Sequence, residues 1–220
     1  MGKPFPATFL VLLRAFVLMH DCGHGSLFRT ARLNKVFGFV FGVVSGMPQY
    51  VWSKHHAYHH ATNGNWDKYR GPLNTASADE FDAMTSKQQR TYERVRNLWL
   101  APFGGFMYLI FNPRYTWLKG SVRLLGHIIK RKIVQPGLSV KAAAAEFKTP
   151  YWTSAKEYWH MFWNNVVLLG AWVLMSWAIG PALFFTVYLI SASLAGGGGI
   201  AIFTVQHNFE HSYASRDEGW

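Results

Sequence analysis

Eight of the ten histidines in this 220-residue chain fall in three short clusters, and the spacing within each is helical. The first cluster, HDCGH, puts His20 and His24 four residues apart, which a helix places on one face. The second, KHHAYHH, sets His56, His59 and His60 at i, i+3 and i+4 and turns His55 about 100° away from them. The third, QHNFEH, repeats the four-residue spacing with His207 and His211. Imidazole is a good ligand for iron, zinc, copper and nickel. One such pair means little, because most histidines are satisfied surface or core residues. Five in two correctly spaced clusters point to a metal centre. Cys22 lies two residues from each histidine of the first cluster, so it points off their face and is expected to pack rather than ligate.

Other chemistries compete for parts of this pattern. His207-Asn-Phe-Glu210-His211 matches the H-x-x-E-H zinc-peptidase pattern with Glu210 as general base, but that leaves the first two clusters unexplained. Glu157-Tyr-Trp-His160 matches the Glu-x-x-His element of soluble di-iron bundles. That architecture needs two copies and further glutamates, so His160 is read as a residue at the start of a helix. A membrane metal carrier would place its ligands near the bilayer midplane, whereas these clusters flank the apolar runs.

The flanking text resembles the membrane fatty acid desaturase superfamily. HDCGHGSLF is similar to its first histidine box, and WSKHHAYHHATNGNWD to its second, with His56-x-x-His59-His60 as the HxxHH core. VQHNFE resembles the segment that precedes the third box in bacterial acyl-lipid desaturases. The likeness runs over nearly the whole chain. Alkane hydroxylases and carotenoid ketolases or hydroxylases carry related boxes, so a hydroxylase or ketolase is the alternative.

The resemblance implies two iron ions in a non-haem centre, with O2 as co-substrate and desaturation of a membrane lipid acyl chain as the reaction. Its implied catalytic and metal-ligating residues are His20, His24, His56, His59 and His60. His207 is implied as an additional metal ligand, and Asp21 and Asn63 as residues that orient ligand imidazoles. The implied partners are an acyl lipid or acyl thioester, the bilayer, and an electron donor such as ferredoxin or cytochrome b5 docked on a basic surface. The family's third box is HxxHH, and here the cluster reads His207-x-x-Glu210-His211. A parent reading frame extending beyond Trp220 is therefore expected, with room for a missing hairpin before residue 1, and the chain alone is expected to be inactive.

The elements that must position these residues belong in a membrane. Half the residues are apolar and 17% aromatic, which excludes disorder, and the single cysteine excludes a disulfide-stapled fold. A formal charge of +11 suits nucleic acid in principle, yet only 15% of residues are charged, so no nucleic-acid partner is expected. Tyr158 to Gly180 and Pro181 to Gln206 are each long and apolar enough to cross a hydrocarbon core of about 30 Å. Separated only by Gly180-Pro181, they read as a transmembrane hairpin. The Gly196 to Gly199 run costs helix propensity, and its use is close approach of a neighbouring helix or a ligand.

Phe5 to Met19, Val36 to Val51 and Leu98 to Phe111 are shorter. Each is near or below the crossing limit; the first is left open as the tail of a span whose beginning is missing, and the other two are read as re-entrant or interfacial. Trp52, Trp99, Trp117 and Trp152 suit an interfacial belt. Eight basic residues and one acid lie between Arg114 and Lys148, which marks that segment as cytoplasmic. The hairpin and the dip of Val36 to Val51 then bring all three clusters to the same face. The fold expected is all-α: one integral membrane domain over residues 1–220, with a transmembrane hairpin, interfacial helices and a cytoplasm-facing histidine site (the inner membrane, if bacterial).

Overall fold

The computed structural model describes residues 4–62, 65–68 and 74–207, with the side chains of residues 4, 5 and 203–207 outside the description. The described residues are helical, joined by turns. Three helices are long and apolar enough to cross a membrane, with windows at Pro6–His24, Ala155–Ile179 and Pro181–Ile202. The chain is thus an all-α integral membrane protein.

The first helix, α1 (Pro4–His24), decides between the two readings of Phe5 to Met19: the run belongs to a helix long and apolar enough to cross. Its backbone ladder continues through His20, Asp21 and His24, so the apolar run was shorter than the helix that carries it. α2 (Ala31–Ser45) is about 22 Å long at 1.5 Å per residue, short of a crossing. Thr30 caps it, accepting from the Leu33 amide at 3.3 Å. Asn34 ties the loop from α1 down by donating to the Phe28 carbonyl at 2.7 Å and accepting from the Phe28 amide at 3.0 Å. α2 stops at Gly46, whose φ of 83° is a left-handed conformation open to glycine at little cost. After Pro48 the chain returns as α3 (Gln49–Thr62), which carries the second cluster. Val36 to Val51 therefore reverses on itself, as its length requires.

Two short helices follow, α4 (Ala78–Asp82) and α5 (Ser86–Val95), each opened by a capping box, from Ser77 with Glu80 and from Thr85 with Gln88. A 3-10 turn at Leu98–Leu100 then leads into α6 (Ala101–Phe106), a π-helical segment (Met107–Phe111) and α7 (Asn112–Val134). α8 (Val140–Ala145) precedes the hairpin of α9 (Ala155–Ile179) and α10 (Pro181–His207). Gly180 turns the hairpin at φ 86°, and Trp172 meets Phe185 and Tyr188 across it with centroids 5.8 and 5.4 Å apart.

Leu12, Phe16 and Met19 of α1 pack on Phe184, Tyr188 and Ala192 of α10 to form the core. Trp177, at 83% exposure, and Val173 and Leu174 face outward from α9, as lipid-facing residues do. The glycine run serves helix approach: a Cβ on Gly196 would stand 2.6 Å from the Gly105 Cα, and one on Gly197 would stand 2.7 Å from the Pro102 nitrogen. Gly198 has open space. Gly196→Leu is therefore expected to lower stability by about 1–3 kcal/mol or more, because backbone must give way, while Gly198→Ala should be near neutral. Melting in detergent checks this, and equal losses in the two variants would contradict the contact.

Arg114 corrects an expectation. It was counted among the water-facing basic residues, yet it is half-buried beneath the α2–α3 turn. Its Nη1 donates to the carbonyls of Gly46, Leu109 (2.9 Å) and Ile110 (3.1 Å), and Nη2 donates to Asn164 Oδ1 at 2.7 Å. Asn164, fully buried, also donates to the Met47 carbonyl at 3.4 Å. The π-helical segment breaks the regular hydrogen-bond ladder and frees carbonyls, and the guanidinium serves them together with the turn. Burial pushes Arg114 down to about 10, so it remains a cation at neutral pH.

Candidate metal centre

α1 and α3 bring the first two clusters together. His56 Nε2 lies 3.1 Å from His20 Nε2, 3.1 Å from His24 Nε2 and 3.0 Å from His60 Nε2. One ligand atom from each of the four falls within 4.8 Å of the others, a group able to hold a metal ion. A neutral imidazole offers one proton and one lone pair, so His56 Nε2 cannot satisfy three other nitrogens by hydrogen bonding. Two nitrogens at right angles on one ion at about 2.1 Å stand about 3.0 Å apart. The donor set therefore fits a first-row transition metal.

The immediate surroundings hold these rings in place. His20 Nδ1 meets Asp21 Oδ1 at 3.1 Å, which places its proton on Nδ1 and leaves Nε2 with its lone pair. His59 stands beside the group, its ring 5.7 Å from that of His56 and 5.3 Å from that of His60. His55 is exposed and outside the cluster. Cys22 is buried against Gly38 and does not join the four histidines. His160 lies in the second turn of α9, stacked on Tyr50 at 5.2 Å. The backbone of His207 ends α10, with its side chain outside the described residues; Asn63, Glu210 and His211 also lie outside them.

Two neighbours of the site were missed or misread in the sequence. Trp52, expected in an interfacial belt, is buried and stacks on His56 at 4.3 Å with a 19° tilt; its indole N–H donates to the Tyr108 hydroxyl at 3.1 Å. The signal was the four-residue spacing from Trp52 to His56, which puts both on one face of α3. Lys54 pairs with the buried Glu157 carboxylate, which also accepts from the Thr153 amide and hydroxyl, each at 2.6 Å. That hydrogen bond holds the Lys54 ammonium above its usual range and fixes the start of α9 to the histidine helix.

Burial, then the imidazoles of His20, His60, His24 and His59, push His56 down to about 3 from an ordinary 6.5. His56 is therefore neutral at physiological pH, the form a metal requires. Between about pH 3 and 6.5 the unfolded chain binds the extra proton, so stability rises with pH through that window and is lost as pH falls. Metal-free protein in detergent should thus melt at lower temperature as the pH drops from about 7 to 4, and His56→Gln should lose less over the same range. Identical pH dependence in the two proteins would contradict this.

A constellation of imidazoles at the ends of two packed helices, in an all-α membrane fold, defines a histidine-rich membrane protein with a cluster able to hold a metal ion. The sequence profile of the family "Fatty acid desaturase" matches residues 4–219, and the chain belongs to that family. It is 29% identical over 210 residues to a Fatty acid desaturase of Bacillus subtilis, covering 95% of this chain and 51% of that protein. An endoplasmic-reticulum omega-3 fatty acid desaturase of Vigna radiata is 30% identical over 115 residues, 51% of this chain and 27% of that one. An sn-1 acyl-lipid omega-3 desaturase (ferredoxin) of Synechocystis is 25% identical over 179 residues, 79% of this chain and 44% of that one. The chain thus spans about half the length, or less, of these curated relatives. No solved structure matches it.

Proposed function

We propose that this chain carries part of a non-haem di-iron centre for oxygen-dependent desaturation of a membrane lipid acyl chain, within a single domain. The observation that carries the reading is the convergence of three imidazole nitrogens around His56 Nε2. His20, His24, His56, His59 and His60 are the proposed ligands, with His207 as an additional one. When bound, the irons would supply the activation of O2 and the removal of two hydrogens from the acyl chain.

The protein's own part is positional. Asp21 fixes the His20 tautomer. Trp52 closes one side of His56 with an apolar face that excludes water. The Lys54–Glu157 pair holds α3 in register against α9. The Synechocystis relative's printed name includes ferredoxin, and a ferredoxin or cytochrome b5 is the proposed electron donor here. The 220 residues hold one HxxHH motif, so the chain by itself is proposed to lack turnover.

Fatty-acid profiling of cells expressing the reading frame that carries this chain tests the chemistry. New unsaturated acyl chains that require O2 and vanish in His56→Ala are expected; hydroxylated products would favour the hydroxylase alternative. The histidine end of the bundle is proposed to face the cytoplasm, following the basic content of Arg114 to Lys148. Cysteines at Ala57 and Lys130, in a Cys22→Ser background, should react with impermeant reagents only from the inside. Labelling of either one from outside would contradict this sidedness.

A further inference from the structure

We propose that the outer face of α7 docks on the headgroups of anionic phospholipid, with its apolar stripe seated among the acyl chains. Leu118, Val122, Leu125, Ile129 and Ile133 are all 50–74% exposed. At 100° per residue they fill one sector about 80° wide, and Lys119, Arg123 and Lys130 share an adjacent sector about 40° wide. No acid occurs on the helix. Its other basic side chains are engaged elsewhere: Arg114 under the α2–α3 turn, Arg131 with Glu146 at 2.7 Å, and Lys132 with the carbonyls of Pro136 (2.7 Å) and Leu138 (3.0 Å).

The opposite face of α7 is covered. Gly120 lies against Trp152, whose Cη2 would be 2.8 Å from an added Cβ, and His127 meets the Phe147 ring at 5.4 Å. The exposed face is therefore the one with the stripe, bordered by the cations: Lys119 and Arg123 sit over the Tyr115 and Tyr151 rings, 5.3 and 5.4 Å from their centroids, and keep their charge there, while Lys130 is exposed. Although 23 residues long, α7 is not among the helices apolar enough to cross. A helix with an apolar sector flanked by cations lies in the plane of an anionic interface. An acidic protein partner would also complement the cations, but the stripe is five branched aliphatics with one aromatic, the exposed Tyr115 at its N-terminal end. That is poor in the aromatic and hydrogen-bonding anchors of protein interfaces, and tyrosine is itself a residue of the membrane–water interface. The proposal rests on the membrane fold and not on the metal reading.

The test is a bimane label on Val122→Cys in a Cys22→Ser background, with the full chain in nanodiscs containing brominated phosphatidylcholine or brominated phosphatidylglycerol. Quenching by both lipids is expected, with the anionic lipid effective at far lower mole fraction. Each basic residue near an anionic surface is worth about fivefold, so three give about a hundredfold. The preference should disappear in Lys119→Gln/Arg123→Gln/Lys130→Gln. It should persist in Lys119→Arg/Arg123→Lys/Lys130→Arg, which controls for folding.

Three results would overturn the proposal. Quenching by neither lipid would mean that water or protein covers the stripe. Equal quenching by both would mean that the cations do not select lipid. Protection of the label by an added acidic ferredoxin, in phosphatidylcholine alone, would assign the face to a protein partner.

Discussion

His56→Ala is expected to reduce metal affinity by well over a hundredfold, while the helical content and membrane insertion stay as they are. His56 Nε2 is the atom that the three other imidazoles surround, so its loss opens the group at its centre. Truncating the ring removes Trp52's stacking partner but leaves the main α1–α10 core untouched. Asp21→Asn should cost about 10–100-fold, the range for a residue that orients a ligand imidazole. His55→Ala should change nothing measurable, because that ring is exposed and outside the cluster. Calorimetric titration of the metal-free protein orders the three variants. A His55→Ala loss as large as that of His56→Ala would place the site elsewhere on α3.

Arg114→Met is expected to be the most damaging substitution away from the histidines. It leaves the carbonyls of Gly46, Leu109 and Ile110 and the Asn164 side chain without their donor. Each buried acceptor so orphaned costs about 1–3 kcal/mol, and partial relaxation brings the sum to about 3–5 kcal/mol. The loss also reaches the metal site, because the turn that Arg114 holds sets where α3 begins and therefore where His56 meets His20. Arg114→Lys should recover only part, since one ammonium cannot reach four acceptors spread over the turn, the π-helical segment and α9. Melting temperature and metal affinity should fall together in these variants. A stable Arg114→Met protein with unchanged affinity would show that the turn holds without the guanidinium.

These two sites differ in how much of them the sequence disclosed. The histidine pairing was legible because a helix repeats every three to four residues, so spacing alone puts His20 with His24 and His56 with His60. Gly180-Pro181 and the run from Gly196 likewise announced a hairpin and a close helix contact, and both are present. Arg114 was misread because charge counting assigns every basic residue to water, and its four acceptors come from three separate stretches of chain. Lys54 and Glu157 are paired across 103 positions, which no local pattern encodes. Trp52 followed the usual habit of tryptophan near a membrane surface until α3 was placed against α1. The first span was undercounted because its polar end, His20 to His24, carries the first histidine pair and falls outside the apolar run.

The most direct test of the central claim is the metal content of the chain purified without oxygen after expression in iron-replete cells. Iron in stoichiometric amount, absent from His56→Ala purified in the same way, is the result expected. Stoichiometric zinc with no iron would contradict it, and so would iron retained in full by His56→Ala.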